Sequence, residues 1–370
     1  MKSSDVITAW GRILTGSTPL LSIEITRECP LSCPGCYAYN DSHLGGGVVL
    51  RDLADLRGDA LVDGVVDLVA RHRPLHVSLV GGEPMIRHRE LDRILPRLVA
   101  MGVWPMVVTS AVIPIPRAWT DNEKIRVTVS VDGLPEHHDI RRKPATYERI
   151  LKNIRDCKVN IHLTVTQPMM ERDDYLDDYF TFWCDRPETR SIWFSTYTPQ
   201  VGEQVPEMLT AESKQKLIAK IPEWKKRYPK LLMFSKSGFA FAKPPENPSK
   251  CTFATMSANY SADLKTRVDP CIFGGTPDCK QCGCAISIAL HCLQDYKIKG
   301  PLKTGHFVRG SMKIGKFVNH FRPAHAKPAR WDSAEASVKH LGLVSIQGAT
   351  AQSSTAEPAL GEPKIDPDAA

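Results

Sequence analysis

The sequence predicts an α/β fold, a partial (β/α)6 barrel of the TIM type followed by a small cysteine-rich module. From about residue 20 to residue 228, short β-branched or apolar runs alternate with amphipathic helical stretches through six units. The alternation stops at Lys243-Pro244-Pro245-Glu246-Asn247-Pro248, which reads as a linker. Nine of the eleven cysteines fall in two windows, Cys29 to Cys36 and Cys251 to Cys292.

Taken in order, Leu20 to Thr26 is strand-like, and Arg51 to His72 places Leu53, Leu56, Leu61, Val65, Val66 and Leu68 on one helical face. A strand over His76 to Val80 and a helix around His88 to Ala100 make the second unit. The third strand, Trp104 to Thr109, leads into a less regular connection. Ile125 to Val131 follows, with a helix marked by Tyr147, Ile150, Leu151 and Ile154. The last two units pair Asn160 to Val165 with Tyr175 to Cys184, and Ser191 to Ser195 with Ala211 to Tyr228. In parallel βα folds the strand carboxyl ends collect the loops and helix N-termini, so function is expected there.

A chain of 370 residues buries a core without staples, and 42% hydrophobic with 24% charged residues excludes wholesale disorder and a membrane bundle. No apolar run approaches the roughly eighteen residues of a spanning helix. Asp5 and Arg12 interrupt the apolar stretch Val6 to Leu14, so no secretory signal is expected and the predicted location is cytoplasmic. Clustered thiols in a reducing compartment read as metal ligands or catalytic groups before disulfides. A net charge of +7 is mild for this length and only weak evidence for nucleic-acid binding, and no nucleic-acid partner is expected.

Cys29, Cys33 and Cys36 have the spacing C-x3-C-x2-C directly after the first strand. Three thiolates on one loop can hold three irons of a [4Fe-4S] cube and leave the fourth open, whereas electron-transfer clusters take four cysteines. The competing reading is a Cys3His zinc site completed by His43.

A C-x3-C-x2-C loop after the first strand of a six-unit βα domain resembles the radical S-adenosylmethionine (SAM) enzymes. Gly81-Gly82-Glu83-Pro84, after the second strand, looks like the family's GGEP segment, which bonds the SAM amino group. The resemblance spans about residues 17 to 228 and implies further SAM contacts. Ser130 and Asp132 would meet the ribose and carboxylate, and Thr164 and Gln167 the adenine and ribose; Ser110 is a lesser candidate. In many family members a bulky residue before the third cysteine packs on adenine; here it is Gly35, and Tyr37 is expected near the cofactor instead. The resemblance further implies a flavodoxin or ferredoxin-type electron donor.

Cys251, Cys271, Cys279, Cys282, Cys284 and Cys292 are too many for packing thiols. The stretch between Cys251 and Cys271 looks like the entry of the SPASM and twitch auxiliary-cluster extensions that follow some radical SAM barrels. Cys251, Cys271, Cys279 and Cys282 are the expected ligands of a second [4Fe-4S] cluster, with Cys284 the alternate; zinc competes for this site. The full two-cluster cysteine pattern is missing. Cys157, Cys184 and Cys292 read as structural.

The expected domain division is an N-terminal segment over 1–16, the barrel over 17–228, a linker over 229–248, the module over 249–322 and a disordered tail over 323–370. Lys297 to Arg322 spaces Phe307, Val308, Met312, Phe317, Val318 and Phe321 as a basic amphipathic helix. The function implied is reductive SAM cleavage to a 5'-deoxyadenosyl radical that abstracts hydrogen from a peptide, a protein or a small metabolite. RNA modification and a non-catalytic iron-sulfur or zinc protein are the alternatives. The short stretch before the first strand is read as leaving no room for a leader-peptide domain, and Trp193, Tyr197 and Gln200 are placed toward substrate by topology alone. No catalytic side chain is assigned.

Overall fold

The structure, a computed structural model, describes residues 3–45, 47–233, 237–299 and 302–321. The tail expected to be disordered, 323–370, lies outside the described residues. The chain begins with α1 (Ser3–Leu14), β1 (Leu20–Glu24), α2 (Gly58–His72), β2 (His76–Val80), α3 (His88–Ala100) and β3 (Trp104–Thr109). It continues through α4 (Arg117–Asp121), β4 (Arg126–Ser130), α5 (Pro135–Arg141), α6 (Tyr147–Asn153), β5 (Val159–Val165), α7 (Tyr175–Asp185), β6 (Thr189–Thr196) and α8 (Ala211–Arg227). The remainder comprises α9 (Ser237–Ala242), α10 (Thr252–Met256), β7 (Ser257–Tyr260), α11 (Ala285–Gln294), β8 (Lys297–Lys299), β9 (Leu302–Lys303) and α12 (Thr304–His320).

Seven parallel strands form one open sheet in the order β6-β5-β4-β3-β2-β1-β7. The six expected strands are present within two residues at each end. The seventh, β7, belongs to the stretch assigned by sequence to the second module and pairs with β1, Leu20 opposite Ser257 and Ser22 opposite Asn259. A four-residue strand among polar residues carries too little alternation to be read from sequence.

Period-two alternation divides the sheet faces. Leu21, Ile23, Val77, Leu79, Val107, Val127, Ile161, Leu163 and Ile192 are buried on the helix-covered face. The opposite face carries Ser22, Ser78, Asn160, His162 and Trp193, which line a cavity of about 710 Å³. On the outer layer, Asp177 of α7 accepts from Trp224 Nε1 (3.2 Å), Arg227 Nη1 (3.1 Å) and Tyr228 Oη (2.8 Å), joining α7 to α8.

The N-terminal segment is helical and anchored. Arg12 donates to the carbonyls of Pro74 (3.0 Å) and Met101 (2.7 Å), and α1 packs against α12. The predicted basic helix is shorter than expected, because the β8–β9 hairpin occupies its first residues.

Leu79→Ala removes a fully buried side chain from the helix-covered face of β2. It is expected to cost about 2–5 kcal/mol, measured as a lower denaturation midpoint at unchanged m-value.

Candidate functional site

The cysteine loop begins where β1 ends, and the next strand's exit holds it in place. Gly82 N–H donates to Thr26 O (2.9 Å) and Glu83 N–H to Glu28 O (2.8 Å), so the GGEP segment lies directly against the chain leading to Cys29. A Cβ on Gly82 would sit 2.1 Å from Glu28 O, a contact no side chain can make. Arg87 adds charge to this anchorage, donating to Glu28 Oε2 (3.0 Å) and to Asp55.

Cys29, Cys33 and Cys36 are all partly buried and unpaired as disulfides. Burial pushes the Cys29 thiol up to about 12, with smaller contributions from Glu83 and from the Cys33 and Cys36 sulfurs beside it. Cys33 is raised by burial too, opposed by the Arg142 guanidinium. Thiols crowded in this way are poor isolated thiolates, and a cation shared among them relieves the cost. Leu31 N–H already points at Cys29 Sγ (3.4 Å). The donor set therefore fits an iron-sulfur cluster.

His43 is no fourth ligand. Its Nε2 lies 2.7 Å from Glu24 Oε1 and its Nδ1 2.9 Å from Phe273 O, so both nitrogens face acceptors in a fully buried site. Burial opposes protonation, but the Glu24 carboxylate and the Phe273 carbonyl raise the pKa of His43. Ser261 Oγ donates to the other Glu24 oxygen (2.5 Å). The resulting clamp ties the end of β1, the cysteine loop and the second module together. Among the described residues no three His, Cys, Asp or Glu side chains close on one point as a single metal ion requires.

Glu83 is 1% exposed, and its carboxylate accepts from Met85 N (3.0 Å), Thr109 Oγ1 (2.5 Å) and Ser110 N (2.7 Å). Burial raises its pKa against those three bonds. Gly81, Gly82, Glu83, Ser110, Ser130, Thr164, Tyr37, Cys33 and Cys36 all line the 710 Å³ cavity, as sequence reasoning grouped them. Pro84 is buried at the start of the 3-10 turn Pro84–Arg87, outside the lining. Gln167 is turned away, its Oε1 accepting from Thr210 N (2.9 Å).

Asp132 is also turned from the cavity, and its surroundings explain why. Its Oδ2 receives Arg142 Nε (2.7 Å) and Arg141 Nε (3.1 Å), and its Oδ1 receives Thr164 N (3.1 Å). Burial alone would raise this carboxyl, yet Arg142 and Arg141 hold it well below the usual carboxylate range. The cavity instead meets the arginines: both line it, and Arg142 Nη1 reaches Ser110 Oγ at 3.2 Å. The paired Arg141-Arg142 is visible in the sequence, but nothing local shows that it folds back to Asp132. His162, not singled out by sequence, also lines the cavity; the signal for it was present, since Asn160, His162 and Thr164 alternate with Ile161 and Leu163 on β5.

Tyr37 packs edge-on against Phe273, ring centroids 5.6 Å apart, and beside His43. The space over Gly35, where a bulky residue was expected, is taken by Tyr197 from the end of β6: a Cβ on Gly35 would lie 2.7 Å from its ring. Trp193 and Tyr197 line the cavity, whereas Gln200 Oε1 accepts from Thr276 N (2.7 Å).

The second cysteine group surrounds a separate cavity of about 20 Å³, walled by Cys251, Cys271, Cys279, Cys282 and Cys284. Burial pushes Cys271 up to about 12 and Cys279 to about 11, the neighbouring sulfurs adding to each. Cys284 borders both cavities. Thr196 N–H donates to Gly283 O (3.1 Å) and Gly283 N–H to Thr198 Oγ1 (3.0 Å), so the loop is seated on β6. Cys157 and Cys292 are buried and Cys184 partly so, away from both cavities.

Residues 23–178 match the sequence profile of the radical SAM superfamily. That stretch therefore has the sequence of a radical SAM domain. No curated protein matches it. Among solved structures, Streptococcus suis SuiB bound to precursor peptide SuiA is similar at 13% identity, over 88% of this chain and 72% of that one, with a TM-score of 0.51. This likeness is one of fold, and it agrees with an open barrel for the radical SAM domain. SuiB bound to S-adenosylmethionine aligns at 13% identity over 70% of this chain, with a TM-score of 0.47. The present chain spans 60% of the length of that protein. Native anSMEcpe with bound AdoMet aligns at 14% identity over 88% of this chain and 100% of that one, with a TM-score of 0.48.

Gly82→Ala is expected to lower stability by about 1–3 kcal/mol, because the Glu28 backbone must move. Gly11→Ala in α1, with open space around it, is the control and should stabilise slightly in the same melts. His43, whose folded pKa is raised above 6.5, contributes stability that is full below that value and lost as pH climbs through the folded pKa. Denaturation of wild type and His43→Gln at several pH values should show their difference shrinking as the pH rises.

Proposed function

We propose that this protein reductively cleaves SAM and uses the product to abstract hydrogen from a peptide, protein or small-metabolite substrate in the barrel cavity. A [4Fe-4S] cluster on Cys29, Cys33 and Cys36, with SAM on its open iron, would supply a 5'-deoxyadenosyl radical once reduced by a flavodoxin or ferredoxin-type donor. The observation that carries this reading is that one cavity joins Cys33 and Cys36 to Gly81, Gly82 and Glu83.

The chain's own residues account for SAM placement. Glu83 has three of its roughly four acceptor sites filled, leaving one for the amino group of SAM. Arg142, oriented by Asp132 and partly buried at the cavity wall, is the partner for the SAM carboxylate. Ser130 and Thr164, at the ends of β4 and β5, supply hydroxyls to the ribose side. Tyr197 over Gly35 and Tyr37 beyond it offer aromatic faces for adenine.

For the second group, we propose a SPASM/twitch-like [4Fe-4S] cluster on Cys251, Cys271, Cys279 and Cys282, with Cys284 at the boundary of the substrate cavity as the alternate ligand. That position suits substrate binding or electron acceptance. The fold shared with SuiB, solved with a precursor peptide, supports including peptides in the substrate class. A cytoplasmic location is proposed from the thiol content, and no described helix is long and apolar enough to cross a membrane.

Anaerobic reconstitution with iron and sulfide, then reduction with SAM present, should give about eight irons per chain and 5'-deoxyadenosine. Cys33→Ala should abolish 5'-deoxyadenosine, and Cys271→Ala should remove about half the iron. A reducible cluster without SAM cleavage would overturn the reading. Four irons in wild type would overturn the second cluster alone.

A further inference from the structure

The cavity extends past the residues assigned to SAM to Leu20, His76 and Ser257, and its charge is distributed unevenly. Among the described residues that line it, the carboxylates and permanent cations are Glu83, Arg141 and Arg142, all at the strand carboxyl ends. The opposite end is built from the first residues of β7, β1 and β2. There the paired rows run Ser257, Leu20, His76 and Asn259, Ser22, Ser78, Met106. From His76 to Val80 the strand rises about 13 Å, too far for Glu83, Arg141 or Arg142 to neutralise a charge at this end.

Two polar atoms here have no partner. Asn259 is 3% exposed, and its Oδ1 accepts nothing although its Nδ2 reaches Val268 O at 3.3 Å. Ser257 Oγ is likewise buried without a hydrogen bond. A buried acceptor left bare costs about 1–3 kcal/mol, so these atoms favour a ligand that satisfies them. His76 and His162 are lowered by burial to about 4 and stand neutral in the wall. The rest of the far lining is apolar, including Met106, Phe241, Phe253, Ile286, Ile288 and Leu290.

We propose that the substrate enters this end as an uncharged, largely apolar group bearing a carboxamide that donates to Asn259 Oδ1 and Ser257 Oγ, or a hydroxyl that donates to one of them. The inference rests on the reading of the cavity as a radical SAM substrate site. A carboxylate or ammonium placed there loses its hydration with no counter-charge on the lining at this end; Arg126, beside Met106 in the second row, is not part of the lining, and its guanidinium lies over the Trp104 ring and donates to Ile125 O (3.0 Å).

The test uses the reconstituted protein with SAM and three probes of one shape: phenylacetamide, phenylacetate and phenethylamine. Dissociation constants from ligand-observed NMR should rank the amide tighter than either ion by about tenfold or more. Asn259→Asp, which installs a carboxylate, should move the preference to phenethylamine, and Ser257→Asp gives the same reading if the first variant does not fold. Equal or tighter binding of either ion to wild type, no binding by any probe, or an unchanged ranking in the aspartate variants would overturn the proposal. SAM binding and 5'-deoxyadenosine formation without probe judge the SAM reading separately.

Discussion

Parallel pairing is the constraint from which the rest of this molecule follows. When every strand runs the same way, every strand's exit loop emerges at one end of the sheet. The cysteine loop after β1, the Gly81–Pro84 segment after β2, Ser110 after β3, Arg141 and Arg142 after β4, Thr164 near the end of β5, and Tyr197 after β6 are separated by up to 168 positions, the span from Cys29 to Tyr197. They nevertheless border one cavity or the turn beside it. No single local interaction assembles the site; the sheet register does.

Within that frame, polarity is handled by giving each buried charge hydrogen-bond partners from the protein itself. Asp132 is paired with two guanidiniums, Glu24 is bonded by His43 and Ser261, and Glu83 accepts from three neutral donors. Each would be costly alone in a low-dielectric interior and is tolerated because most of its hydrogen bonds are filled. The arrangement also fixes rotamers, so groups such as Arg142 meet the cavity already oriented.

The barrel was legible because period-two strands and amphipathic helices are local signals. The cysteine loop and the glycine pair were legible because spacing and position after a strand are local too. What escaped was long-range. Asp132 has the right position for a ligand contact, and only the return of Arg141 and Arg142 shows that its carboxylate is spent. His43 has the spacing of a fourth metal ligand, yet Glu24 and Phe273, 230 positions away in the latter case, occupy both its nitrogens. Tyr197 over Gly35 is another such pairing, since a missing side chain in one loop was filled from a different strand. The helix α1 was passed over because its apolar residues were weighed only as an export signal.

The pairing of β7 with β1 bears on how the protein must be made and handled. β1 carries the cysteine loop, and without β7 its outer row of amides and carbonyls would be an open sheet edge, a template for another chain. A barrel cut after α8 would present that edge on the strand that leads into the cysteine loop, an arrangement that invites intermolecular pairing. The strand that closes the edge is thus a safeguard against aggregation.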